Sequence, residues 1–119
     1  MNVVLVLLLM WYGQPLMSGS ATHYDEGTLT RSEEPFDLNS FTCGVDDSMW
    51  AELRGKTLVV LAESGRFTYL RVNDTGYLRR FTSDWIHPGV VDVPRGTFLK
   101  VFESLDTQHV WVWLAENRQ

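Results

Sequence analysis

The chain has 119 residues, enough for one small domain. A net charge of −5 excludes nucleic acid as the main partner, because phosphate backbones require a positive footprint. Its single cysteine, Cys43, excludes an intrachain disulfide, and His23, His87 and His109 have no ligand-like spacing, so neither a metal nor a cofactor is expected.

Val3 to Trp11 is an unbroken apolar run, shorter than the ~20 residues that span a bilayer. Gly13, Pro15 and the small cluster Ser18-Gly19-Ser20-Ala21 follow it. That order is the order of an export leader, although no Lys or Arg precedes the run. The expectation is a leader over residues 1–20, cleaved after Ser20 or Ala21, and one domain over 21–119. A secreted, periplasmic or envelope location follows, with no stable membrane span after processing. The competing reading is a buried N-terminal strand or helix.

Ala21 to Tyr24 reads as a short first strand and Asp25 to Asn39 as a long polar loop. Asp46 or Asp47 caps a short helix over Ser48 to Leu53, which Gly55 ends. Lys56 to Ala62 and Phe67 to Val72 read as strands joined by the turn Glu63-Ser64-Gly65-Arg66. Tyr77 to Gly89 reads as a loop, and Val90-Val91 as a short strand leading to Asp92. Pro94 at a first helical position starts a helix over Arg95 to Phe102, which Gly96 weakens. In His109 to Leu114, Val110, Val112 and Leu114 alternate with Trp111 and Trp113. Both faces are apolar, so this strand belongs at the centre of a sheet or closed barrel. The fold class is mainly β, a small closed barrel with one or two short helices.

Arg71-Val72-Asn73-Asp74-Thr75-Gly76 is the most informative stretch. It places the Asp74 carboxylate on a turn at the end of an apolar strand. Asp46 and Asp92 also sit at element boundaries. The plain role of each such Asp is turn former or helix cap.

The order of these pieces resembles the double-psi β-barrel of the rare lipoprotein A type and the related three-aspartate domain of the membrane-bound lytic transglycosylase A type. Ala21-Thr22-His23-Tyr24 is similar to the opening strand of that family. Ser32-Glu33-Glu34-Pro35-Phe36-Asp37 resembles its Ser-Gly-Glu-x-Phe-Asp motif, with Glu33 in place of Gly. Phe41 to Asp46 resembles the next segment, and Leu53-Arg54-Gly55-Lys56-Thr57-Leu58 stands for a Leu-Gly-Thr-x-Val step. Tyr69 to Gly76 resembles the Val-Arg-Val-Asn-Asp-x-Gly strand, and Val90-Val91-Asp92-Val93 the Ile-Ile-Asp-Leu step. The likeness runs in order from Ala21 to Leu114. One departure stands out: by spacing, the family's histidine after the Phe-Asp motif falls at Val45.

The resemblance implies a cell-wall glycan as partner, peptidoglycan or another β-linked glycan, and a monomer. It also implies a three-aspartate site of Asp74, Asp92 and Asp46. Lytic transglycosylases cleave the β-1,4 bond without water. One carboxyl group protonates the leaving oxygen and then takes the proton of the sugar's own 6-hydroxyl. Such a group needs a pKa raised by burial or by a neighbouring carboxylate. Asp74 is the first candidate for this acid/base role, Asp92 the second, and Asp46 a positioning or electrostatic partner. Glu34 and Asp37 resemble groove residues, and loop solvation is their alternative role. Trp50 and Tyr77 are candidates for stacking on sugar rings, with core burial the competing role for Trp50. Trp111 and Trp113 read as packing or a secondary glycan platform, and Cys43 as a small buried residue. The readings that stand against an enzyme are a non-catalytic polysaccharide-binding barrel and a protein–protein module such as an inhibitor.

Overall fold

The computed structural model describes residues 2–78 and 88–117. Six strands close into one barrel in the order β1-β5-β2-β4-β3-β6. They are β1 (Met17–Tyr24), β2 (Thr42–Asp46), β3 (Thr57–Ala62), β4 (Phe67–Gly76), β5 (Gly89–Pro94) and β6 (Gln108–Leu114). Three helices, α1 (Val3–Tyr12), α2 (Trp50–Leu53) and α3 (Arg95–Phe102), lie among the described residues; α2 and α3 are the short helices expected beside the barrel strands. β1–β5 and β2–β4 are parallel pairs; the other pairs are antiparallel. This is the small closed barrel expected from the sequence, of the double-psi type.

The hairpin β3–β4 pairs Leu58 with Leu70 and Val60 with Thr68, and β3 pairs with β6 through Val60 and Val112. Period-2 alternation then sends Leu58, Val60, Leu70, Val72, Val110 and Val112 into one buried core. Cys43 and Val45 of β2 join it at 0% exposure, so Val45 is a packing residue.

The outward face of the same strands is apolar as well. Register sets Tyr69, Val59 and Trp113 in one row and Phe67, Leu61 and Trp111 in the next. Helix α1 lies over this face, packing Val4, Leu5, Leu8 and Leu9 against Val59, Leu61 and Trp113. The Trp113 indole N–H donates to the Gly13 carbonyl at 2.9 Å. Asn2 caps α1 by accepting the Leu5 N–H, and its amide donates to the carbonyls of Ala62 and Glu63. The second apolar face of β6 is thus covered by a helix.

Three sequence expectations change. Val72 does not end β4, which runs to Gly76 because Gly44, Val45 and Asp46 of β2 pair with Asp74, Thr75 and Gly76. Strand β1 begins at Met17, since Met17 to Ala21 pair with β6, so the expected cleavage positions lie inside it. Strand β5 begins at Gly89, which the sequence assigns to a loop; Arg79 to His87 of that loop lie outside the described residues. The helix at Arg95 forms as expected, with Pro94 as N-cap. Gly96 is needed there because a side chain would strike the Leu38 carbonyl and Asn39, where the loop crosses the helix start.

Candidate functional site

The parallel pair β2–β4 carries a register shift between Cys43 and Gly44, where Asn73 is the extra residue. Bulges bend a strand and re-aim the next side chain. Asp74 follows directly. The parallel pair β1–β5 carries a similar shift between Ser20 and Ala21, where Val90 is extra, two residues before Asp92. Gly44 on β2 pairs with both Asp74 and Asp92. A strand position without a side chain therefore separates the two carboxylates. Tyr24, Gly44, Asp74, Thr75, Leu78 and Asp92 line one pocket of about 110 Å³ at this end of the barrel.

The two carboxylates have different surroundings. Asp92 is half-buried, and its Oδ1 accepts the Thr22 hydroxyl at 2.8 Å. Burial pushes its pKa above the ordinary carboxylate value; the Thr22 hydrogen bond and His23 oppose this, and Asp74 adds to it. Asp74 Oδ1 accepts two backbone N–H groups, from Arg31 at 3.0 Å and from Thr75 at 2.9 Å. Cys43 sits beneath the pair, and burial with the nearby Asp92 raises its thiol to about 12, so it stays protonated.

Arg31 arrives through the loop between β1 and β2. That loop folds into a small hairpin, with Leu29 bridged to Pro35 and Thr30 N–H donating to the Glu34 carbonyl. It is tied across β4 by Ser32 N–H donating to the Asn73 carbonyl and by Glu34, which takes both guanidinium donors of Arg71 at 2.6 and 2.7 Å. The Arg31 guanidinium reaches Asp47 at 3.0 Å and lies 5.5 Å over the Trp50 ring. Glu33 turns this hairpin at φ 64°, the left-handed region that favours glycine. In the motif that this stretch resembles, the same position is Gly.

The structure brings together Asp74 and Asp92 but not Asp46. The Asp46 carboxylate turns to Ser48, accepting its N–H at 3.2 Å and its hydroxyl at 2.6 Å, and caps the 3-10 turn ahead of α2. Asp37 accepts the Asn39 N–H within its own loop, and with Glu34 it lines a separate open groove beside Arg71 and Asn73. Trp50 is half-buried, packed on the core and capped by Arg31. Tyr77 is exposed next to Leu78 of the pocket wall.

Sequence reasoning missed Tyr24 and Arg31. The Tyr24 hydroxyl is buried in the pocket wall with no well-aligned hydrogen-bond partner, and burial with the Asp74 and Asp92 charges raises its pKa. Thr22 and Tyr24 share one face of β1, so the pairing of Thr22 with Asp92 is the signal that locates Tyr24. Arg31 acts through its backbone N–H, which no residue type announces.

No protein-family model matches the chain, and no curated protein matches it. Among solved structures it is similar to a Streptomyces papain inhibitor, at 18% identity and TM-score 0.55, over 82% of this chain and 93% of that one. It is also similar to the apo expansin of Clavibacter michiganensis, at 16% identity and TM-score 0.50. A mutant of that expansin in complex with cellohexaose matches at 15% identity and TM-score 0.52. Both expansin matches cover 82% of this chain, which spans about half the expansin's length, 48%. At these identities the likeness is one of fold, and the fold is a small double-psi β-barrel.

Proposed function

We propose that the chain is a glycan-active barrel of the cell wall or envelope that cleaves a β-linked glycan by carboxyl acid/base chemistry, in the manner of a lytic transglycosylase. The observation that carries this is the Asp74–Asp92 pair in one pocket, with Asp92 half-buried and its pKa raised. A carboxyl group that keeps its proton is a general acid; its ionised neighbour stabilises positive charge on the sugar. Asp92 donates its proton to the leaving glycosidic oxygen as the C–O bond breaks. Asp74 faces the oxocarbenium-like carbon. The 6-hydroxyl of the same sugar then attacks that carbon, and its proton passes to Asp92, which is thereby restored. Burial favours Asp92 over Asp74 as the acid. Asp46, held by Ser48, supports the turn into α2 instead. The likeness of fold to an expansin seen with cellohexaose supports a β-linked glycan as ligand, and peptidoglycan is the substrate tested first.

The experiment is digestion of purified peptidoglycan, with mass spectrometry for anhydro-muramyl ends, beside binding to cellohexaose and peptidoglycan. Anhydro ends lost in Asp92→Asn support cleavage. Binding without product moves the reading to a non-catalytic polysaccharide-binding barrel, which the packing of Val45 at the family's histidine position favours. Binding to neither glycan rejects both.

We also propose export, through a leader comprising the apolar run that forms α1. The pairing of Met17 with Val112 favours processing ahead of Met17. No helix among the described residues is long and apolar enough to cross a membrane. N-terminal sequencing of the exported protein tests this: a first residue within Ala21–Tyr24, or an intact Met1, overturns it.

A further inference from the structure

We infer that Tyr24 is a positioning residue of the carboxyl pair: its buried hydroxyl donates to Asp74 and biases the pair toward a proton on Asp92. The inference rests on the reading of the pair given above. Three observations carry it. Tyr24 lines the same pocket as Asp74 and Asp92. Its hydroxyl oxygen is buried and lacks a well-aligned partner, a state that costs free energy unless the group serves a neighbour. Both backbone donors to Asp74 converge on one oxygen, Oδ1, which leaves Oδ2 open to a further donor.

The direction of the hydrogen bond follows from chemistry. Burial and two nearby carboxylates keep the phenol protonated, so it donates and does not accept from Asp74. A donor favours the charged form of the carboxylate it binds, and of two close carboxylates the one without that donor takes the proton more readily, so the hydroxyl biases the pair toward a proton on Asp92. Among the described residues, the other titratable or charged groups facing the pair are His23 on β1, Cys43 on β2, and Glu26 and Arg31 on the loop. None of these presents a second neutral hydroxyl donor at Asp74. The Tyr24 ring packs 5.0 Å from the Phe36 ring, so removing the hydroxyl leaves that contact in place.

The test is a site-resolved carboxyl NMR titration of the whole chain without glycan, comparing wild type with Tyr24→Phe. In the variant, Asp92 is expected to titrate at lower pH than in wild type, because Asp74 has lost a donor and competes better for the proton. An unchanged Asp92 midpoint overturns the inference. Site-specific 3-fluorotyrosine at position 24 keeps ring and hydroxyl but is a stronger donor. It should move Asp92 upward, and no movement also overturns the inference should Tyr24→Phe fold poorly. Because the titration needs no glycan, its outcome is separate from that of the peptidoglycan digestion, which tests the reading of the pair itself.

Discussion

Asp74 and Asp92 enter one pocket from strands that are not neighbours, because each pairs with Gly44 on the strand between them. Their closeness is set by backbone register, and no salt bridge or metal is needed to hold them there. Gly44 keeps the space between them open: a β-carbon there would meet Asp74 at 3.6–3.7 Å, ordinary contact, so Gly44→Ala should fold. Any larger side chain would fill the site.

Asp92→Asn separates function from stability. Because the folded pKa of Asp92 is raised, the folded state binds its proton more tightly than the unfolded chain does. Stability from this group is full below the ordinary carboxylate pKa and falls as pH rises through the raised value. Asparagine has no charge to bury and still accepts from Thr22. Melting curves should therefore show Asp92→Asn gaining on wild type at pH 7 and not at pH 3, while glycan cleavage disappears. A variant less stable at pH 7 would contradict this sign.

Asp74→Asn removes the neighbouring charge, one cause of the raised Asp92 pKa, so Asp92 should titrate lower in the variant. Its amide oxygen still accepts the N–H groups of Arg31 and Thr75, so stability should fall by only ~1 kcal/mol. Cleavage is expected to vanish. Retained full activity would leave Asp74 as a turn-holding residue.

Asp46→Ala gives the opposite pattern. It deletes the cap on Ser48 and should cost ~1 kcal/mol in a denaturant melt. Activity per folded molecule should stay unchanged, and a hundredfold loss would return Asp46 to the site.

Glu33→Gly relieves a left-handed backbone position and should stabilise the protein by about 1 kcal/mol, less the backbone freedom glycine adds to the unfolded chain. Thermal melts of the pair decide it.

Shortening the N-terminus should act in two steps. A chain beginning at Pro15 keeps β1 but uncovers Val59, Leu61 and Trp113, so it should fold and bind a hydrophobic dye strongly. A chain beginning at Ala21 loses Met17 to Ser20, four of the five pairs with β6, and should not give a cooperative melt. Equal melting of the two would show that the start of β1 is dispensable.

The sequence revealed the barrel through period-2 alternation in Lys56–Ala62, Phe67–Val72 and His109–Leu114, where β-branched and aromatic residues leave little ambiguity. It understated β4 because Asn73, Asp74 and Gly76 favour turns locally, and only the distant partner β2 holds them extended. The start of β1 was hidden in the same way: Ser18, Gly19 and Ser20 are small residues with little strand preference of their own, and only their pairing with β6 marks them as strand. The placement of Asp74 and Asp92 at one end of the barrel was legible through the order of motifs. The different position of Asp46 was not, since capping and catalysis use the same residue type. Tyr24 was invisible because its place beside the two carboxylates exists only in a pocket lined by four strands.

Cys43 lies at 0% exposure on β2, wedged between the two carboxylate-bearing strands, with its thiol pKa raised to about 12. As the only thiol in the chain, it is a silent internal clock. An alkylating reagent reaches it only when β2 parts from its neighbours, so the labelling rate counts openings of the strand that spaces the pair. A tight ligand in the pocket should slow that clock. Occupancy can then be followed without a product or a chromophore, whichever glycan is bound.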